Sequence, residues 1–148
     1  MTIDPKPRSI LVAEDDPDDR QWIRDALAEC HLGLQVNFVA DGEELMDFLL
    51  HRGKYAVTSN LAYPGLVLLD LNMPKKDGRE SLKEIKSDPR LRHIPIIVLT
   101  TSRAEEDTFR SYNLGANSVI HKPVTFDNLV QIMQNMTDFW YKTAELPL

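Results

Sequence analysis

Three short, almost unbroken apolar runs constrain the fold of this chain more than anything else in it. They are Ile10–Ala13, Leu66–Leu69 and Ile94–Leu99. Each is too short for an ordinary helix, is rich in Leu and β-branched residues, and lacks the alternation of a half-exposed strand. Strands buried on both faces read this way, which requires a parallel sheet with helices covering each side. Val36–Ala40 and Ser118–His121 are two weaker strand candidates.

Helical patterns fill the intervals. Asp16 stands where a cap is needed, with Pro17 at the first helical position. Ile23, Ala26, Leu27 and Cys30 then recur at helical spacing, as do Leu45, Phe48 and Leu49. Arg79–Lys86 and Ala104–Asn113 are further helices, ending near Asp88-Pro89 and at Gly115. The last begins after Thr125 and carries Leu129, Ile132, Met133, Met136, Phe139 and Trp140 on one stripe. A β-α unit repeated five times predicts an α/β fold with right-handed crossovers. The stretch Gly53–Gly65, with Tyr55 and Tyr63, is the one long loop; function and plain surface insertion are both open for it.

The 148 residues fit one domain, 1–148. With 17 Lys+Arg against 23 Asp+Glu, the net charge of -6 argues against a general grip on nucleic acid or an anionic membrane. Cys30 is the only cysteine, so no internal disulfide is expected, and it reads as a small buried hydrophobe. Met1–Arg8 has no signal-peptide pattern and no window is apolar enough to span a bilayer, so a cytoplasmic location is expected.

Open α/β sheets place their sites at the carboxyl ends of the strands. Here those ends carry Glu14-Asp15-Asp16, Asp70, Thr100-Thr101 and Lys122-Pro123. Clustered carboxylates repel one another unless a cation sits among them, and hard oxygen ligands suit Mg²⁺. A hydroxyl and an ammonium can meet phosphoryl oxygens, and an aspartate can itself take up a phosphoryl group. The edge is therefore a candidate phosphoryl-accepting site. Asp16 reads as a helix cap in preference to a metal ligand, and Asp18 and Asp19 as first-turn charges favoured by the helix dipole.

The segments Leu11–Asp16, Leu68–Gly78 (with Asp70-Leu71-Asn72-Met73-Pro74-Lys75-Lys76-Asp77-Gly78), Val98–Thr101 and His121-Lys122-Pro123 resemble receiver domains of two-component response regulators, in order and spacing over nearly the whole chain. The resemblance implies a doubly wound five-stranded parallel sheet of strand order 2-1-3-4-5, the flavodoxin-like receiver fold, with no output domain. It implies Asp70 as phosphoacceptor and Glu14, Asp15, Asp70 and the backbone carbonyl of Asn72 as Mg²⁺ ligands. Thr100 and Thr101 would meet or report the phosphoryl group, and Lys122 would contact a phosphoryl oxygen or pair with Asp70. Pro123 would follow a cis peptide bond, while Pro74 and Gly78 would shape the loop and helix start after the acceptor. Receivers often carry Tyr or Phe three residues before the lysine; Val119 stands there, so the usual aromatic switch is in doubt.

A narrower likeness rests on the loop with Tyr55, the segment Pro74–Glu80 and a tail with Phe139-Trp140 and Leu146-Pro147. It is similar to the small response regulators of cyanobacterial and other bacterial phytochromes, which implies a light-sensing histidine kinase as partner. The family also implies a homodimer through the fourth helix, fifth strand and fifth helix. Phe139, Trp140 and Tyr141 are candidates for that surface, since three consecutive aromatics cannot all face one core; core packing is expected for at least Phe139. Two rivals remain. An aspartyl-nucleophile phosphatase would want a second Asp where Asn72 stands, and a phosphorylation-independent docking module would not need the acidic set.

Overall fold

The computed structural model describes residues 9–31, 33–56, 63–71, 73, 75–101 and 118–143. Five strands form one sheet: β1 Ser9–Ala13, β2 Gln35–Val39, β3 Leu66–Asp70, β4 Ile96–Thr100 and β5 Ser118–His121. All pairings are parallel and the order is β2-β1-β3-β4-β5, the doubly wound arrangement expected.

Strand pleat explains the uninterrupted apolar runs. Leu11, Ala13, Val67, Leu69, Ile96 and Val98 face one core, while Ile10, Val12, Leu66, Leu68, Ile97 and Leu99 face a second on the other side of the sheet. Successive side chains point to opposite faces, so a strand covered on both sides must be apolar at every position. The edge strands β2 and β5 are less buried, and their sequence signals are correspondingly weaker.

Among the described residues four α-helices cover the faces: α1 Pro17–Ala28, α2 Gly42–Leu50, α3 Gly78–Ser87 and α4 Phe126–Asp138. The segment Ala104–Asn113, expected as a helix, lies outside the described residues. α2 and α3 pack together, as do α1 and α4. Each helix begins at a side-chain cap that satisfies an orphan backbone donor. Asp16 accepts from the N–H groups of Asp18 and Asp19, Asp41 from Glu44, Asp77 from Glu80 and Thr125 from Asn128. The long loop opens with a 3₁₀ turn, Gly53–Tyr55, whose Tyr55 hydroxyl donates to Glu44 Oε1 at 3.0 Å.

The chain after α4 continues as a π-helical turn, Phe139–Thr143. Here the expectation for Phe139 is corrected. It is 49% exposed, while Trp140 and Tyr141 pack against the core on the α1/α4 side. At about 100° per residue, Trp140 falls within about 20° of the fully buried Met133 on the helix circumference, and Phe139 about 120° away from it. The Tyr141 hydroxyl donates to the carbonyl of Ser9 at 2.8 Å.

Two glycines hold the loop after β3 against its neighbours. The Gly78 N–H donates to Leu71 O at 3.1 Å, and a Cβ at Gly78 would stand 2.6 Å from Asp70 O. The Gly42 N–H donates to Lys76 O at 2.9 Å, and a Cβ there would stand 2.2 Å from that same oxygen. Because the obstacle at Gly42 is backbone, Gly42→Ala is expected to cost about 1–3 kcal/mol of stability, as overpacking does. A lowered urea midpoint at unchanged slope checks this; an unaltered midpoint would show that the loop yields freely.

Candidate functional site

The parallel sheet carries each predicted group to one edge. β1 ends at Ala13, and Glu14 follows directly, its N–H donating to Val39 O at 2.9 Å. Asp70 is the last residue of β3. Thr100 closes β4, and its carbonyl accepts from the Lys122 N–H at 2.7 Å, which fixes the backbone of the residue just after β5. Glu14, Asp70 and Thr100 are all buried, at 1%, 6% and 0% exposure, whereas Asp15 and Thr101 lie open to solvent.

Glu14, Asp15 and Asp70 form a compact set: one ligand oxygen from each lies within 4.8 Å of the others. The donor set is hard and anionic, with one member facing solvent, and it suits a small divalent cation that keeps some of its waters. Burial and the neighbouring Asp70 carboxylate push Glu14 up to about 7; the Lys122 ammonium pulls the other way without winning.

Lys122 reaches into this set. Its Nζ stands 2.5 Å from Glu14 Oε1, 3.2 Å from Asp19 Oδ2 and 3.6 Å from Asp70 Oδ2. Burial works against the ammonium, but Glu14, Asp70 and Asp19 outweigh it and hold its pKa above the ordinary lysine range. The pairing with Asp70 expected for Lys122 is present, although Glu14 is much the nearer partner.

Three further contacts and conformations shape the site. Asp19 keeps its place in the first turn of α1 but also reaches Lys122, a contact spanning 103 residues that helical spacing alone does not signal. The Arg20 Nε donates to Glu14 O at 2.6 Å and braces the acidic turn from α1. Lys75, in the loop after Asp70, has a positive φ of 63° and brings its Nζ within 3.8 Å of Asp41. A non-glycine residue in that region is uncommon, and such strain gathers at sites.

Asp16 is a cap, as expected, and Gly78 begins α3. The Lys122–Pro123 peptide bond is trans, which corrects the cis expectation; trans is the intrinsically favoured isomer even before proline. Val119 packs against the α2/α3 side of the core. Asn72 and Pro74 lie outside the described residues. No described helix is long and apolar enough to cross a membrane.

Comparison with known proteins places the chain. The sequence model described as the response regulator receiver domain matches residues 10–134. Response regulator Rcp1 of Synechocystis sp. is 40% identical over 141 residues, covering 95% of this chain and 94% of that protein. The crystal structure of the phosphorylated cyanobacterial phytochrome response regulator RcpA superposes with a TM-score of 0.84 at 46% identity, over 95% of this chain and 98% of that one. The Mn²⁺-bound form of Rcp1 superposes with a TM-score of 0.82 at 39% identity, over 96% and 100% of the two chains.

Proposed function

This chain belongs to the response regulator receiver domain family, and from that premise we propose that Asp70 accepts a phosphoryl group from a sensor histidine kinase and that the new charge is passed on through conformation or self-association. One observation carries the reading: Asp70 lies among Glu14 and Asp15 with ligand oxygens within 4.8 Å, and Lys122 reaches the same carboxylates.

In the transfer, an Asp70 carboxylate oxygen attacks phosphorus while the bond from phosphorus to the donor imidazole nitrogen breaks. The imidazole leaves with the electron pair and takes a proton. The work of the site is positioning and charge neutralisation. Glu14, Asp15 and Asp70 would hold Mg²⁺, with the Asn72 backbone carbonyl as the further ligand that the family resemblance implies. Bound Mg²⁺ supplies neutralisation of the carboxylates and of the incoming phosphoryl oxygens. The Lys122 ammonium would neutralise a further phosphoryl oxygen, and the Thr100 and Thr101 hydroxyls would offer donors that register the group. The switch is a local charge change read out by the segment after Thr100. Because Asn72 stands where a turnover phosphatase would want a second acid, the chain is read as a phosphoacceptor and not as an enzyme.

Residues 1–148 are read as one receiver domain. A phytochrome kinase is the proposed donor, supported by the likeness to RcpA. A homodimer through β5, α4 and the helix expected at Ala104–Asn113 is proposed on two grounds. β5 is an edge strand, and Phe139 beyond α4 presents an exposed ring. The test is incubation with acetyl phosphate and Mg²⁺, followed by intact mass and sizing chromatography. One acid-stable, hydroxylamine-labile phosphoryl group per chain is expected, together with a shift in elution. Absence of any phosphoryl group would overturn the reading and favour a docking module.

A further inference from the structure

We propose that Asp19 is a positioning residue for Lys122: its carboxylate shares the ammonium with the buried site and so weakens the hold of that site on a phosphoryl group. The inference rests on Asp70 being the acceptor. Lys122 Nζ carries three donors and meets three carboxylates, of which Asp19 at 3.2 Å is nearer than Asp70 at 3.6 Å.

The three partners differ in kind. Glu14 and Asp70 belong to the set whose ligand oxygens lie close enough together to hold a cation, and Asp19 does not. A cation drawn to Glu14 and Asp70 therefore loosens their pull on the ammonium and leaves that of Asp19 intact. A phosphoryl oxygen arriving at Asp70 must compete with Asp19 for Lys122. The position of Asp19 is fixed by its own backbone, since its N–H is held at 3.2 Å by the Asp16 cap at the start of α1. The first turn of a helix also favours its negative charge. Its side chain is 41% exposed, so solvent screens the pair and the effect is a tuning one.

Beryllofluoride, an anionic phosphoryl analogue, reads the effect at equilibrium. With Mg²⁺ present, its affinity for the wild type and for Asp19→Asn is measured by calorimetry or fluorine NMR. Asp19→Asn is expected to bind it about two- to fivefold more tightly, the weight of one partly exposed ion pair. The gain is expected to vanish when Lys122→Met is present in both chains, because Asp19 acts through the ammonium. Lys122→Gln replaces Lys122→Met if the latter does not fold. Asp19→Glu, which keeps the charge, is expected to stay near the wild-type affinity. Unchanged affinity in Asp19→Asn overturns the inference. So does an equal gain with and without Lys122, which would mean simple repulsion between Asp19 and the bound anion. Failure of the wild type itself to bind beryllofluoride overturns the acceptor reading instead.

Discussion

Asp70→Asn is expected to take up no phosphoryl group from acetyl phosphate and Mg²⁺, and to unfold at a higher temperature than the wild type when metal is absent. The first outcome follows from chemistry: an amide oxygen is a poor nucleophile and cannot form the acyl phosphate. The second follows from the crowding of charge. Asp70 raises the cost of ionising Glu14, a side chain 1% exposed, and an amide at position 70 removes that repulsion. Lys122 loses its most distant partner, at 3.6 Å, but keeps Glu14 and Asp19. Function and stability thus oppose each other at one residue, a trade common at active sites. Intact mass and a thermal scan in chelator measure the two effects together. A phosphoryl group persisting on the variant would move the acceptor elsewhere, and a lower melting temperature would refute the repulsion.

The metal-free protein is expected to lose stability as pH rises from about 4.5 to about 7, with Mg²⁺ restoring it above that window. Glu14 rises from 4.5 in the unfolded chain to about 7 in the folded one. A group raised on folding contributes stability that is full below its unfolded pKa and gone once the pH passes its folded pKa. The span corresponds to a loss on the order of 3 kcal/mol across that window. Lys122 is also raised, but its contribution stays complete throughout because lysine titrates far above neutrality. Added Mg²⁺ binds the ionised carboxylates and stabilises the folded state by mass action, most strongly where Glu14 has lost its proton. Urea unfolding at several pH values, with chelator and with Mg²⁺, tests both halves. A flat profile in chelator would show that Glu14 ionises without cost.

The architecture was legible because burial on both faces leaves a plain mark: β1, β3 and β4 are apolar at nearly every position. β2 and β5 are edge strands, and their thinner signals follow from that place in the sheet. The caps at Asp16 and Thr125 could be read from residue type and local spacing alone, as could the convergence of Glu14, Asp15, Asp70, Thr100 and Lys122 at the strand ends. What sequence spacing did not carry were contacts between distant elements. Asp19 looks like any first-turn acid until β5 delivers Lys122 beside it. Arg20 gives no hint that it braces the Glu14 carbonyl. Nothing in the spacing around Gly42 signals that the Lys76 carbonyl lies against it. The exposure of Phe139 was within reach, because its angular offset from Met133 follows from helix geometry.

The hydrogen bond from the Tyr141 hydroxyl to the Ser9 carbonyl joins residues 132 positions apart. It does so at the amino-terminal end of β1, the margin of the sheet opposite the one where β3 ends in Asp70, and it ties the last described turn to the first described strand. Chemical probes anchored near this junction would sit on the opposite margin of the sheet from Glu14, Asp15 and Asp70 and leave those carboxylates clear.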